Sequence, residues 1–224
     1  MGKRFEDAKK AVNNTKLYTP EEAIKLAKQT ATTKFVGNLE VHVRLGIDPK
    51  KTDQVVRSTL TLPHATGKTK KVGAFVTEGK EKEAQDAGAV VVGGEDLIKQ
   101  IKEKGTIGFD VAIAEPAMMP KLAQIAKILG PKGLMPNPKA GTVTQDIGTA
   151  IKEYAAGKTE FKNDESGNVH MLLGKSDLDS AKLLENYRSF LNALMQTRTA
   201  GVKKEFVQGI TLHATMGPAI KVKI

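Results

Sequence analysis

Residues 38–45 alternate strictly, with Asn38, Glu40, His42 and Arg44 polar and Leu39, Val41, Val43 and Leu45 apolar. Residues 210–215 do the same, setting Thr211, His213 and Thr215 against Ile210, Leu212 and Ala214. A period of two places one set on a core and the other in water, as in an antiparallel strand with one solvated face. The middle of the chain has a different rhythm. Continuous apolar runs at 72–76, 89–94 and 110–114 each lead into a helix-favouring stretch, at 79–87, 95–104 and 118–129. In the last two, Leu97, Ile98 and Ile101, then Leu122, Ile125, Ala126 and Leu129, fall at helical spacing. Apolar strands alternating with amphipathic helices predict a parallel sheet covered on both faces.

The flanks carry helix starts of their own. Thr19-Pro20-Glu21-Glu22 combines a capping box with proline at the first helical position, and predicts a helix over 21–28. Ser176 to Asp179 repeats the cap spacing, with Leu184, Tyr187, Leu191 and Leu194 following as a helical stripe. The alternating strands of the first part lack a partner that the last stretch supplies. The expected fold is therefore mixed α/β and α+β in two domains. A discontinuous α+β domain with an antiparallel sheet is expected from both termini, residues 1–65 and 157–224. A Rossmann-like parallel α/β domain, residues 66–156, is inserted into it.

Charge sharpens that division. The 224 residues carry a formal net charge of +10, which attracts polyanions. Residues 66–156 hold 13 Lys+Arg against 11 Asp+Glu, and the remainder holds 22 against 14, so the excess lies in the two ends. No apolar run approaches the twenty or so residues that cross a bilayer, and Met1 to Asp7 has a basic start with no apolar core behind it. Neither a membrane span nor a signal peptide is expected. The absence of cysteine excludes a disulfide scaffold and thiolate chemistry, and fits a cytoplasmic protein.

Motifs for enzymatic chemistry are incomplete. Gly67-Lys68-Thr69 has the end of a phosphate loop, but the glycine required five positions before Gly67 is Leu62. Gly93-Gly94 follows a strand without the full dinucleotide-binding pattern, and a tight strand-to-helix turn accounts for it. The four histidines, His42, His64, His170 and His213, are widely spaced and form no zinc motif, so no metal, cofactor or catalytic residue is assigned. The segment Gly130–Gly141 holds three prolines and three glycines with Lys132, Lys139 and an exposed Leu134-Met135 pair. It reads equally as a plain connection or as a stiff lysine-bearing loop that grips a phosphate backbone. The strand faces, with Asn38, Glu40, His42, Thr211, His213 and Thr215, are either simply solvated or offer mixed donors and acceptors. A ribose 2′-hydroxyl needs such mixed partners, whereas duplex DNA phosphates mostly want cations.

Several segments together carry a resemblance. They are Leu45-Gly46-Ile47-Asp48-Pro49, Leu62-Pro63-His64, Val92-Gly93-Gly94, the run from Ile128 to Val143, Phe161-Lys162-Asn163-Asp164 and Thr215-Met216-Gly217-Pro218. The chain resembles, essentially end to end, the bacterial form of the first-numbered protein of the large ribosomal subunit, the stalk protein at the tRNA exit side. The resemblance implies a cytoplasmic, ribosome-bound monomer that binds 23S rRNA, assists release of exit-site tRNA and represses its own operon by binding its mRNA. It implies an rRNA and mRNA surface of Phe35, Glu40, His42, Lys162, Asp164, His170, Thr211, His213, Thr215, Met216 and Gly217. Thr215, Met216 and Gly217 would be central, with Lys132 and Lys139 as a possible tRNA or secondary RNA contact. Arginine often stands in the family where this chain has Lys132 and Lys162, which keeps the charge but not a bidentate geometry. The rival classes are a nucleotide-binding enzyme on the α/β unit and a general basic DNA-binding protein.

Overall fold

The computed structural model describes residues 2–13, 15–67, 70–198, 201–202 and 205–224. Lys68 and Thr69 of the incomplete phosphate-loop motif lie outside them. In chain order the elements are α1 (Lys3–Lys10), α2 (Pro20–Gln29), β1 (Asn38–Leu45), β2 (Arg57–Thr61), β3 (Val72–Phe75), α3 (Glu81–Asp86), β4 (Val91–Gly93), α4 (Glu95–Lys104) and β5 (Val111–Ala114). There follow α5 (Met119–Leu122), α6 (Ala126–Leu129), α7 (Ile147–Ala155), β6 (Lys158–Lys162), β7 (Asn168–Lys175), α8 (Ser180–Gln196), β8 (Val207–Ala214) and β9 (Ile220–Val222). The chain divides into two compact units, Met1–Gly67 with Glu160–Ile224, and Lys68–Thr159.

In the first unit a four-stranded sheet runs in the order β7-β1-β8-β9, and each neighbouring pair is antiparallel. β1 precedes the inserted residues and its neighbours follow them, so the sheet needs both ends of the chain. Leu39, Val41, Val43 and Leu45 of β1 point into a core shared with Val169, Met171 and Leu173 of β7 and Ile210 and Leu212 of β8. Ile24 and Ala27 of α2 and Leu183, Tyr187, Phe190 and Leu194 of α8 cover that apolar side. Each large apolar side chain so buried contributes about 1.5–3 kcal/mol, and this leaves the opposite side of the sheet uncovered by helices α2 and α8. β2 pairs with β6 in a separate two-stranded ribbon, across which Arg57 and Glu160 form an ion pair.

The capping box predicted at Thr19 is present. The Thr19 hydroxyl accepts from the Glu22 N–H at 3.3 Å, and the Glu22 carboxylate accepts from the Thr19 N–H at 3.1 Å. The cap predicted at Ser176 is not. Residues 176–178 form a turn instead, and α8 starts at Ser180 behind Asp179, whose side chain makes no capping bond. Its buried stripe is Leu183, Asn186, Tyr187, Phe190 and Leu194, with Leu184 and Leu191 only partly buried.

In the second unit a parallel sheet runs in the order β4-β3-β5. Alternate residues of β3 serve two cores. Phe75 joins Ile98 and Ile101 of α4 with Met118, Leu122, Ile125 and Leu129, while Val72 and Ala74 join Ala84 of α3 with Ile147, Ile151 and Tyr154 of α7. The helix predicted over 118–129 is broken into α5 and α6, with 3-10 turns at Pro116–Met118 and Ala123–Ile125. Pro116 and Pro120 remove two backbone donors in the first turns, and tightened turns replace a continuous helix. The apolar spacing did not reveal α1 or α7. α7 is marked instead by its cap, in which Asp146 Oδ1 accepts from the Thr149 N–H at 3.1 Å.

Candidate nucleic-acid interface

The uncovered side of the first unit's sheet is organised in rows by strand register. His170 of β7 pairs with His42 of β1, His42 with Thr211 of β8, and Thr211 with Lys221 of β9, so one row crosses all four strands. In the next row Glu40 sits between Leu172 and His213, and on the other side Arg44 sits between Asn168 and Gly209. Period-two geometry keeps these side chains on the face opposite the core. The register thus gathers five predicted site residues, Glu40, His42, His170, Thr211 and His213. It adds two cations that were not among the candidate site residues, the exposed Arg44 and Lys221. A surface groove runs along this face, lined among others by His42, Arg44, Asn168, Thr211 and Lys221.

Three of the four histidines meet here. His42 Nδ1 lies 2.6 Å from His170 Nδ1, and His42 Nε2 lies 2.6 Å from His213 Nε2. The His42 and His213 rings stack at 4.6 Å, and the His42 and His170 rings meet edge-on at 4.8 Å. Burial, together with the neighbouring charges of His213 and His170, pushes His42 down to about 4, so it is neutral at pH 7. The sequence spacing suggested no such cluster, because only the pairing of β1 between β7 and β8 creates it.

Asp164 closes the turn that leads into β7. Its carboxylate accepts from the backbone N–H of Asn168 at 2.7 Å and of Ser166 at 2.9 Å, and from the Asn168 side chain at 3.1 Å. The Asn168 backbone bond is the largest cause of a carboxyl held down at about 2, against the opposing effect of burial. Its second oxygen is 3.3 Å from His170 Nε2. Asp164 therefore shapes the turn that follows the exposed Lys162 at the end of β6 and orients His170, and its carboxylate is already engaged.

At one end of the face stands the β8–β9 turn. Thr215 is tied to Asn38, and the Gly217 N–H donates to the Ala214 carbonyl at 2.7 Å. A Cβ at Gly217 would meet that carbonyl oxygen at 3.0 Å, so the tight turn favours glycine there. Met216 between them has φ 61°, and among the described residues it is the one non-glycine with positive φ. Its side chain is 65% exposed. Phe35, 57% exposed, and Val36, 56% exposed, lie within two residues of Gly37, where a Cβ would meet Thr215 at 3.2 Å. Three apolar side chains held in water at or near a strained turn are poor for an isolated monomer and suited to packing on a partner. Gly2, Arg4 and Phe5 share a cleft with Met216 and Gly217, adding a cation that the sequence reading missed.

The inserted unit is different. Lys132 and Lys139 are exposed on the 130–141 loop, which is braced from inside: the Asn137 N–H donates to Thr142 Oγ1 at 2.7 Å and Tyr154 donates to the Ala140 carbonyl. Leu134 and Met135, expected to be exposed, are half-buried against the core cluster of Phe75 and Leu129. Beyond the strand ends, where such folds hold nucleotides, the cleft is lined by Glu78, Glu81, Glu95 and Asp96 against Lys99 and Lys121. Carboxylates there oppose a phosphate. The buried Glu115 is committed to structure. Burial alone would raise its carboxyl, but Lys80 at 2.7 Å and both Thr77 donors at 2.7 Å hold it below the usual range. Among the described residues no helix is long and apolar enough to cross a membrane.

A family model described as the ribosomal protein L1p/L10e family matches residues 27–218. A protein named large ribosomal subunit protein uL1 from Mesoplasma florum is 49% identical over 224 residues, covering 100% of this chain and 98% of that one. Proteins of the same name from Thermosipho africanus and Thermobifida fusca are 48% and 45% identical, each over 98% of this chain and over 95% and 93% of their own lengths.

Proposed function

This chain belongs to the ribosomal protein L1p/L10e family, and we propose that it acts as a structural rRNA-binding protein of the large ribosomal subunit through the uncovered sheet face of its first unit. The observation that carries the placement is the end of that face. The strained, exposed Met216 and the hydroxyl-anchored Thr215 stand at the end of the face next to the Glu40–His213 row. The exposed Phe35 lies two residues before Gly37, which contacts Thr215, and the row of imidazole, hydroxyl and ammonium groups follows beyond. Apolar side chains pack on ribose and bases, the mixed donors and acceptors of Glu40, His42, Thr211 and His213 suit 2′-hydroxyls, and Arg44, Lys162 and Lys221 suit phosphates. Glu40 on a surface meant for a polyanion is unfavourable for bulk electrostatics, and favourable for accepting from a 2′-hydroxyl or a guanine amino group.

Two finer activities belong to the same reading: assistance in the release of exit-site tRNA, and repression of the chain's own operon by binding its mRNA. For the first, Lys132 and Lys139 on the braced loop supply exposed cations for a second RNA contact. For the second, a surface that reads shape and 2′-hydroxyls accepts any RNA that presents the same fold. A monomer bound to 23S rRNA in the cytoplasmic ribosome is the working state. The test is a gel shift at physiological salt with a structured 23S rRNA fragment, duplex DNA and tRNA side by side. Preference for the rRNA fragment supports the reading, and equal affinity for duplex DNA sinks it.

A further inference from the structure

We propose that Glu40, His42 and His213 form a binding site for a divalent transition cation, of which zinc fits best. The three residues lie on one face of two paired strands: Glu40 is directly across from His213, and His42 is two positions along β1. One donor atom from each lies within 4.8 Å of the others. Tetrahedral zinc with bonds of about 2.0–2.2 Å holds its donors about 3.3 Å apart. The His42 and His213 Nε2 atoms, 2.6 Å apart, would open to that spacing and the Glu40 carboxylate would close to it, on a frame set by the paired strands.

The second layer of contacts is already built. A carbonyl only accepts, so the contact of 3.0 Å between His213 Nδ1 and the Ala214 oxygen puts the proton on Nδ1. That leaves the Nε2 lone pair of His213 facing the site. His42 presents Nε2 to the same point, while its Nδ1 faces His170, whose far nitrogen faces Asp164. With His42 ligating through Nε2, the chain runs as His42 Nδ1–H to His170 Nδ1, and His170 Nε2–H to the Asp164 carboxylate. Each ligating imidazole then has its other nitrogen oriented by an acceptor, the arrangement that fixes tautomer and strengthens a ligand. Two imidazoles and a carboxylate suit zinc, nickel or copper rather than magnesium or calcium, which want oxygen alone. Among the described residues no hydrogen bond or ion pair ties up the Glu40 carboxylate. All three ligands are half-buried, so three protein donors leave a fourth position open to water or to an oxygen of a bound molecule. The charged neighbours on the same face are Arg44 of β1 and Lys221 of β9, with the Asp164 carboxylate beyond His170. The inference goes beyond the RNA reading and does not rest on it, since the strand register alone brings the donors together.

The experiment is titration of the intact, RNA-free chain with cobalt(II), read by visible absorption, and with zinc, read by competition against a chromophoric chelator. One equivalent should bind and give the intense bands of a four-coordinate cobalt site. His42→Ala and His213→Ala should abolish stoichiometric uptake, and Glu40→Gln should weaken it. His170→Asn, which removes only the orienting partner, should weaken it by roughly 10–100-fold. His64→Ala should leave uptake unchanged. Circular dichroism checks that each variant is folded, and the half-exposed Glu40→Gln decides the matter if a histidine variant is not. Absence of stoichiometric uptake in the parent chain, or uptake that survives both His213→Ala and Glu40→Gln, overturns the site.

Discussion

Thr215 and Asn38, 177 residues apart, close on each other through three hydrogen bonds. The Thr215 N–H donates to the Asn38 carbonyl at 2.8 Å, the Asn38 N–H donates to Thr215 Oγ1 at 2.9 Å, and the hydroxyl donates back to the same carbonyl at 3.2 Å. This clasp joins the end of β8 to the start of β1 and holds the turn that carries Met216. Thr215→Val keeps the shape and the backbone bond but loses both hydroxyl bonds. It should cost about 1–2 kcal/mol of stability in urea titration and weaken rRNA binding as well. A variant that binds as the parent does would detach the clasp from the RNA surface.

Met216 separates stability from binding more sharply. A methionine at φ 61° carries a strain of about 1–2 kcal/mol that glycine does not. Met216→Gly should therefore unfold at equal or higher urea concentration than the parent, yet lose rRNA affinity by about 1–3 kcal/mol if the side chain packs centrally. Met216→Ala should lose the same affinity without gaining stability. Parent-like rRNA binding by both variants would place the contact elsewhere.

Where physics is local, the sequence was readable. The Thr19 capping box, the helix over residues 95–104 and the alternation of residues 38–45 each depend on neighbours in the chain, and each stands where the pattern put it. The failures have nearby competitors. Ser176 is drawn into the turn after β7 rather than into a cap, and the stripe of Leu122, Ile125 and Leu129 is buried as one face although the helix that carries it is divided by 3-10 turns. The site was legible as a set of strand faces, but not as a cluster. His42, His170 and His213 touch only because β1 lies between β7 and β8 in one register, and no spacing within a single strand encodes that pairing. Lys221 joins the row for the same reason.

The His42 imidazole makes stability depend on pH in a defined window. The unfolded side chain takes a proton near 6.5, and the folded one only near about 4. Between those values the unfolded chain binds more protons, so stability is full above about 6.5 and falls as pH drops toward 4. The Asp164 carboxyl, held at about 2, adds its own loss only below its ordinary value of 3.8. Urea midpoints measured in chelator from pH 7 to pH 4 should decline, and His42→Asn should flatten that decline. An unchanged slope in the variant would show that another group is responsible.

Tyr187 is a test of the core beneath the face. Its hydroxyl is buried with no hydrogen-bond partner among the described residues, and burial pushes its ionisation up to about 12. Removing an unsatisfied buried group recovers its desolvation penalty. Tyr187→Phe should therefore raise stability by about 1 kcal/mol, with rRNA binding unchanged. A destabilised variant would show that the hydroxyl is paired after all.

The repressor reading makes a claim about competition. If one surface serves both RNAs, the leader of the chain's own mRNA and the rRNA fragment exclude each other, and each displaces the other in labelled competition binding. Regulation also sets an order of affinities: rRNA must bind more tightly, so that repression begins only when protein exceeds its ribosomal site, and a tenfold gap needs about 1.4 kcal/mol. Thr215→Val and Met216→Ala should then weaken both complexes together, because both RNAs rest on the same turn. Lys132→Ala with Lys139→Ala should leave both intact and slow tRNA release, since those lysines sit on the braced loop of the inserted unit. Lys162→Ala should lower the salt dependence of both complexes by about one unit of slope, as one phosphate contact is lost. Non-competitive binding, or a Met216→Ala chain that loses rRNA but keeps the messenger, would show two separate surfaces and end the mimicry account.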